Sequence, residues 1–308
     1  MKPAKTEERN PRSRGLDRKS ALEILRVLNR EDSRVAMAVR RELPKIARAV
    51  ESIVASFERG GTLYYVGAGT SGRIAVLDAA EWPPTFGARP GMVRTLIAGG
   101  ARALRSAVEG AEDSVSHGAR DLARARVCRG DVVVGVSASG ATPYVLGALQ
   151  LARRRGAVTI GVTSNRHAPI ARRAQILISP DTGAEAVAGS TRLKAGTAQK
   201  MVLNLLSTAA MARLGRVYDN WMIYVALTNQ KLRRRGARIL QEATGATASR
   251  ARHALRQAGH DLAAALVMLK SGASAPVAKR TLAKSAGNVR AAIELLKTAQ
   301  KKSVSSER

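Results

Sequence analysis

The stretch LYYVGAGTSGRIAVLDAAEWPPTFG, residues 63–87, decides the fold. An apolar run at 63–66 is typical of a strand, and a turn of glycines and hydroxyl residues follows it at 67–72. A helical pattern then runs from 73 to 81, and we expect Pro83 and Pro84 to stop the helix there. A strand, a glycine-rich turn and a helix start together predict an anion site, because unpaired backbone N–H groups converge at such a point.

The residues of this turn favour one class of anion. The turn fits the G-x-G-x-x-G pattern of dinucleotide sites, but Thr70 and Ser71 place hydroxyls where a dinucleotide needs bare backbone. The next strand-like run ends in Gly99 and Gly100 and offers no acidic residue for a ribose. We therefore predict that the ligand is a compact phosphate monoester.

A second strand and turn repeat this chemistry. The apolar run DVVVGV at 131–136 is typical of a buried parallel strand, and Ser137, Ser139 and Thr142 follow it before a helix that runs to residue 154. Ligands of open α/β sheets bind beyond the carboxyl ends of the strands. A single serine-rich turn is often only a helix cap. Two such turns at equivalent places indicate a phosphate site.

The rest of the first 242 residues alternates strand and helix patterns. We expect helices at 21–28, 35–53, 101–110, 111–125, 193–214 and 217–232, and further strands at 92–98, 157–162 and 175–179. This alternation predicts an α/β fold with a doubly wound parallel sheet. Residues 1–20 are polar and charged, so we expect an arm there rather than a packed element.

The C-terminal part predicts a separate module. No strand pattern remains from residue 243 onward, and the segment from Asp261 is echoed 27 residues later by the segment from Asn288. Each copy has an Asp or Asn N-cap and an amphipathic helix. We therefore expect two domains, at 1–242 and 243–308, the second a small all-α module joined near Gly245.

Composition narrows the class of protein. The 308 residues carry a net charge of +29, and residues 231–308 hold 17 lysines and arginines against 4 aspartates and glutamates. Such charge attracts nucleic acid or anionic metabolites. Aromatic residues make up only 3%, however, and the sequence has no nucleic-acid motif. We expect a basic, solvated surface and no nucleic-acid partner.

Other absences point to a compartment. No apolar run reaches the ~20 residues that span a bilayer, and the N-terminus lacks the pattern of a secretory signal. The single cysteine, Cys128, excludes an intrachain disulfide framework and offers no metal cluster. We expect a cytoplasmic protein with no membrane partner.

Seven motifs, in order, cover nearly the whole chain. They are TEERN at 6–10, GAGTSGR at 67–73, LDAAEWPPT at 77–85, IAGG at 97–100, VEGAEDS at 108–114, SASGATPYV at 137–145 and GSTRLKAGTAQK at 189–200. Together they resemble the N-acetylmuramic acid 6-phosphate etherases, enzymes of the sugar-isomerase (SIS) fold. The all-α module is similar to the small ubiquitin-associated-like domain of that family.

The resemblance implies the site. Glu81 and Glu112 would be the catalytic pair, although their positions alone would not single them out, and a homodimer with no metal or redox cofactor is implied. One departure is Trp82, where a smaller residue such as Cys is expected; its indole would reshape the pocket or desolvate Glu81. The residues expected to bind the sugar phosphate are Thr70, Ser71, Ser137, Ser139, Thr142, Glu185 and Ser190.

The implied reaction cleaves a lactyl ether from C3 of a 2-amino sugar, with Glu112 as base and Glu81 as acid. Two alternatives, an isomerase and a non-catalytic sensor, stay open. A sugar-phosphate isomerase would use the same sheet and hydroxyls. A non-catalytic sugar-phosphate sensor, like the glucokinase regulatory protein, would keep the phosphate turns but needs much additional sequence. A DNA-binding regulator would need a helix-turn-helix before the sheet, and the helices expected at 21–53 do not make a good one.

Overall fold

The computed structural model describes residues 5–306, so what we expect of residues 1–4 and 307–308 lies outside the described residues. The helices are α1 (Ala21–Asp32), α2 (Val35–Arg40), α3 (Leu43–Glu58), α4 (Gly69–Phe86), α5 (Val115–Arg124), α6 (Pro143–Arg154), α7 (Lys194–Arg213), α8 (Gln230–Thr244), α9 (Ala248–Gln257), α10 (Leu262–Ser271), α11 (Ala275–Lys284) and α12 (Val289–Ser306). The strands are β1 (Leu63–Gly67), β2 (Val93–Ile97), β3 (Val132–Val136), β4 (Val158–Val162), β5 (Ile176–Ile178), β6 (Val217–Tyr218) and β7 (Trp221–Met222). Short 3₁₀ helices lie at Lys5–Glu7, Pro11–Ser13, Leu16–Arg18, Gly100–Leu104 and Pro169–Arg172.

The chain divides into two compact units. The first contains residues up to Ala80 and Pro90–Thr208, and the second contains Glu81–Arg89 and the residues from Ala209 onward. The helices α4 and α7 each run from the first unit into the second.

The first unit is built on a five-stranded parallel sheet in the order β2-β1-β3-β4-β5. The last residues of four neighbouring strands, Gly67, Val136, Val162 and Ile178, lie in one row across the sheet. Because the strands are parallel, the loops that follow them leave from the same edge. The predicted parallel sheet is confirmed.

Helices cover both faces of this sheet. Tyr64 and Val66 pack in one cluster with Tyr144 and Leu149 of α6. Side chains alternate between the faces of a strand, so Tyr65 points the other way, where its hydroxyl donates to Asp78 of α4 at 3.0 Å. The doubly wound arrangement is therefore confirmed.

The predictions of two helices are wrong. In place of a helix at 101–110, a 3₁₀ turn ends at Leu104, where Arg73 of α4 donates to the carbonyl of Ala103 at 2.9 Å. The helix expected from 111 begins only at Val115, because Ser114 is its N-cap. In place of a helix at 217–232, β6 and β7 form an antiparallel hairpin, and α8 starts after the N-cap Asn229.

Two boundaries also differ from expectation. The helix α4 begins at Gly69 and continues through Pro83 and Pro84 to Phe86. The described part of the expected N-terminal arm is a packed segment with three 3₁₀ helices, in which Thr6 and Asn10 are buried.

The second unit contains the predicted repeat. The pair α9 and α10 recurs 27 residues later as α11 and α12. Asp261 accepts from the N–H of Ala264 at 3.0 Å, and Asn288 accepts from the N–H of Ala291 at 3.0 Å. The two N-caps are therefore equivalent, as the sequence echo predicts.

Candidate functional site

The first hydroxyl turn joins β1 to α4. Ser71 is buried and Thr70 half-buried in the first turn of the helix, where backbone N–H groups have no partner within the helix. Gly67 and Gly72 allow the turn to close, since a Cβ added at Gly67 would lie 2.8 Å from the Cα of Gly72. The turn thus presents hydroxyls and N–H groups at the positive end of a helix, which favours an anion.

The second hydroxyl turn joins β3 to α6. The Ser137 hydroxyl lies 2.8 Å from the hydroxyl of Thr142 and 3.4 Å from that of Ser139. It also accepts from the N–H of Gly140 at 3.0 Å. The structure therefore brings these three hydroxyls together at the carboxyl end of β3, beside the end of β1. This is the point where the strand order reverses, which is the usual ligand position in such sheets.

Residues after β4 fix this second turn. The hydroxyl of Thr163 and the N–H of Ser164 both donate to the carbonyl of Ala138, at 3.1 Å and 3.0 Å. Gly140 has a φ of +69°, and a Cβ there would lie 2.6 Å from the Cβ of Ala168. A side chain at position 140 would therefore be both strained and crowded.

Sequence reasoning missed Thr163 and Ser164. Both directly follow the strand expected at 157–162, so the rule applied to the other two turns would have found them. The Ser164 hydroxyl is buried and has no hydrogen-bond partner among the described residues. It is a spare donor beside the second turn.

Glu112 lies in the irregular segment before α5, and its side chain is exposed. Its backbone carbonyl accepts from the N–H of Tyr144, two residues after Thr142, at 3.0 Å. The hydroxyl of Tyr144 also donates to Asp121 of α5 at 2.8 Å. These bonds hold the backbone of Glu112 beside the second hydroxyl turn.

Glu185 and Ser190 lie in the loop before α7. Glu185 is fully buried, and its carboxylate accepts from the N–H groups of Lys194 at 3.0 Å and Ala195 at 2.9 Å. Burial raises the pKa of the Glu185 carboxyl, and the two backbone N–H groups lower it by less. The carboxylate thus caps the start of α7, while Ser190 is half-buried.

The start of α7 lies close to the first turn of α4. A Cβ added at Gly196 would be 3.6 Å from the side chain of Thr70. The loop that carries Glu185 and Ser190 therefore leads directly to a helix that packs against the first hydroxyl turn.

Glu81 belongs to the second unit and is exposed near the end of α4. Its neighbour Trp82 is only 1% exposed and packs edge to face on Phe86, with ring centroids 6.4 Å apart. Trp82 is therefore buried, while its neighbour Glu81 is exposed to water. The indole does not desolvate the Glu81 carboxylate in this chain.

Other features of the described chain lie apart from the hydroxyl turns. A cavity of about 480 Å³ lies between the N-terminal segment at 9–17, Ile24 and the loop residues Ala186, Val187 and Ala188. Among the residues that the structure describes, no group of His, Cys, Asp and Glu is arranged to hold a metal ion. Within residues 5–306, no helix combines the length and apolar character that crossing a membrane requires.

The parallel sheet and its two hydroxyl turns define a protein of the SIS class. The model of the SIS domain matches residues 107–209, and that of the glucokinase regulatory protein N-terminal SIS domain matches residues 45–153. A phosphoheptose isomerase from Francisella tularensis shares the fold at a TM-score of 0.51 and 18% identity, over 63% of this chain and 100% of that chain.

Sequence relatives define the family more narrowly. The chain is 52% identical over 264 residues to the N-acetylmuramic acid 6-phosphate etherase of Pectobacterium atrosepticum, which covers 86% of this chain and 87% of the relative. The etherase of Yersinia pestis is also 52% identical, over 86% of this chain and 90% of the relative. The chain belongs to the N-acetylmuramic acid 6-phosphate etherase family.

Proposed function

We propose that this protein cleaves the D-lactyl ether of N-acetylmuramic acid 6-phosphate to give N-acetylglucosamine 6-phosphate and D-lactate. The observation that carries the proposal is the pair of hydroxyl turns, side by side at the ends of β1 and β3, in a chain 52% identical to named etherases. The turns suit the phosphate, and the relatives supply the reaction.

Phosphate recognition falls to the two turns. Thr70 and Ser71 act with the N–H groups at the start of α4, and Ser137, Ser139 and Thr142 act from the second turn. Hydrogen bonds to charged groups are each worth roughly 1.5–3 kcal/mol, so a few hydroxyls suffice to hold a dianion. Glu185 and Ser190 complete the site from the loop before α7, with the carboxylate of Glu185 acting through the position of that helix.

The chemistry needs one base and one acid. Ring opening exposes an aldehyde at C1, which acidifies the proton on C2. Glu112 removes that proton, the C3–O bond breaks, and Glu81 protonates the departing lactate oxygen. Water then adds across the conjugated double bond, with oxygen at C3 and a proton at C2. Each proton transfer is typically worth ~10²–10⁴-fold in rate.

The exposure of both carboxylates and the position of Glu112 support these roles. Both Glu81 and Glu112 are exposed, so a substrate can reach them. The backbone of Glu112 is held beside the second hydroxyl turn by the N–H of Tyr144, as a base near C2 of a phosphate-anchored sugar requires. The assignment of Glu81 as the acid rests on the resemblance to the family.

We further propose that the protein acts as a cytoplasmic homodimer without a nucleic-acid partner. A phosphorylated sugar is a cytoplasmic metabolite, and the positive charge attracts such an anion. The two carboxyl groups and water account for every proton and bond in the reaction, so it requires no further cofactor.

The test is D-lactate release by the purified full-length protein from N-acetylmuramic acid 6-phosphate. We expect the wild type to release D-lactate and the double variant Glu81→Gln/Glu112→Gln to release none. Interconversion of aldose and ketose phosphates without lactate would identify an isomerase instead. Tight binding of the sugar phosphate without turnover would identify a sensor.

A further inference from the structure

A buried ion pair lies behind the loop that precedes α7. Lys194 and Glu31 are each 1% exposed, and the Lys194 ammonium donates to the Glu31 carboxylate at 2.6 Å. The reaction uses neither group. Because taking two charges out of water costs several kcal/mol per ion, stability alone is a weak reason for such a pair.

Other polar groups complete the network around this pair. The amide of Asn10 donates to Glu31 at 2.7 Å and to the carbonyl of Ala184 at 3.0 Å. The ammonium of Lys194 also donates to that carbonyl, at 2.6 Å. The guanidinium of Arg12 donates to both carboxylate oxygens of Glu31, at 2.5 Å and 3.1 Å. The network therefore ties the N-terminal segment and the end of α1 to the loop that carries Glu185.

The loop is held at both ends. At the near end, Ala184 accepts from Asn10 and Lys194, and in the middle of the loop the N–H of Gly189 donates to the carbonyl of Thr6 at 3.1 Å. At the far end, the N–H of Lys194 donates to Glu185. A fully hydrogen-bonded buried network rigidifies and specifies one arrangement, and here the arrangement is that of the loop from 184 to 194.

We propose that Lys194, Glu31 and Asn10 are positioning residues that fix the loop at 184–194, so that the N-terminal segment completes the sugar-phosphate site. This inference rests on the proposed function of the same site. The motifs at 6–10 and 189–200 thereby act together in positioning the loop, since Asn10 lies in the first and Lys194 in the second.

The test compares full-length variants. Lys194→Met removes the buried partner of the Glu31 carboxylate, which then keeps only its bonds from Arg12 and Asn10. Lys194→Met/Glu31→Leu removes both charges, and apolar replacement of a buried pair is often neutral for folding. Lys45→Met is the matched control, because it breaks another lysine–glutamate pair of the same unit, with Glu42 at 2.8 Å.

We expect kcat for D-lactate release to fall about 10-fold or more in the double variant, since small misplacements of a site are costly. The dissociation constant for N-acetylglucosamine 6-phosphate should change by less than about threefold, because the hydroxyl turns still hold the phosphate. Hydrogen exchange at the N–H groups of Gly189, Lys194 and Ala195 should become faster, and Lys45→Met should match the wild type. A folded double variant with wild-type kcat overturns the proposal.

Two further experiments allow the proposal to be refuted if the double variant does not fold or the wild type is inactive. If the double variant does not fold, Asn10→Ala keeps both charges and removes the amide that bridges Glu31 and Ala184, together with the cap on the N–H of Arg12. The same readouts apply. If the wild type releases no D-lactate, the proposed function fails on its own. Hydrogen exchange at Gly189, Lys194 and Ala195 then decides the positioning role, and exchange unchanged from the wild type overturns it.

Discussion

At the scale of single residues, Ser137 is the centre of the second hydroxyl turn, and Ser139 is its more accessible neighbour. Replacing Ser139 with Ala removes a donor to a dianion, so KM should rise about 10- to 150-fold, from roughly 1.5–3 kcal/mol per bond. Ser71→Ala should act similarly in the first turn. Steady-state kinetics measure both effects, and Ser116→Ala on α5 is the control. An unchanged KM in both Ser139→Ala and Ser71→Ala would show that these turns do not bind the phosphate.

The two glutamates have separable roles. Removal of the C2 proton makes it exchangeable with solvent before the lactate departs. Glu81→Gln should therefore lose D-lactate release yet still exchange the C2 proton in deuterated water, while Glu112→Gln should lose both. Proton NMR of the substrate in deuterated water measures the exchange. If Glu112→Gln exchanges at the wild-type rate, Glu112 is not the base and the roles must be reassigned.

Glu31 makes stability depend on pH. The hydrogen bond from Arg12, helped by Lys194 and Asn10, lowers the pKa of Glu31 to about 2 from its ordinary 4.5. A carboxyl with a lowered pKa stabilises the fold fully above pH 4.5 and loses that contribution as the pH falls toward 2. The gap in unfolding free energy between wild type and Glu31→Gln should therefore narrow over this range. Denaturant titrations at several pH values measure it, and a constant gap would contradict the assignment.

At the scale of secondary-structure elements, tertiary packing overrides the local signal that predicts the end of α4. Pro83 and Pro84 remove two helix hydrogen bonds, yet α4 continues because Trp82 and Phe86, four residues apart on one face, are both buried. The sequence predicts the helix but not the burial that outweighs the prolines.

Turn chemistry explains the missed hairpin. Residues 217–232 have apolar spacing that suits a helix, but Asp219 has a φ of +53° in the two-residue turn between β6 and β7. Asp and Asn favour turns and tolerate positive φ, so the Asp-Asn pair at 219–220 is a turn signal within this run. The sequence therefore did contain a signal for the hairpin, in the residues of the turn and not in the spacing of the apolar residues.

The contact between α5 and α6 is unusually close. A Cβ at Gly118 would lie 1.8 Å from the backbone carbonyl oxygen of Tyr144. Gly118→Ala should therefore force the helices apart and lower the unfolding free energy by about 1–3 kcal/mol, as overpacking does. Because Tyr144 holds the backbone of Glu112, kcat/KM should fall as well. His117→Ala, exposed on the same helix, is the control, and a Gly118→Ala protein with normal stability and activity would refute the argument.

At the scale of the molecule, the sequence predicts the sheet and the two hydroxyl turns, because each rests on a local run of strand, turn and helix. It does not predict the buried N-terminal segment, because Asn10 and Glu31 are polar residues whose burial depends on Lys194, more than 160 residues away. The boundary of the C-terminal module at residue 243 stays a prediction. In the second unit, Ile239 and Leu240 of α8 share one core with Leu262 and Leu266 of α10.

The second unit also connects the C-terminal repeat to the segment that carries Glu81. A Cβ at Gly87 would lie 3.2 Å from the ring of Tyr224, and the hydroxyl of Tyr224 donates to the carbonyl of Gly287, between α11 and α12, at 2.5 Å. Arg216 lies over the same ring at 4.6 Å. Tyr224 therefore connects the repeat to the end of α4. Because the end of α4 carries Glu81, we expect a change at Tyr224 to affect catalysis although Tyr224 lies outside the sheet.

Tyr224→Leu removes this link, and Tyr218→Leu is its matched control. Tyr218 packs on the same core and has Arg290 over its ring at 5.2 Å, so each change should lower the unfolding free energy by a similar amount, about 1–3 kcal/mol. Only Tyr224→Leu loosens the Glu81–Arg89 segment, so only that variant should lose kcat for D-lactate release, by roughly tenfold. Exchange of the C2 proton should persist in both variants, because Glu112 lies in the other unit. Equal kcat in the two folded variants would show that the C-terminal repeat contributes stability alone.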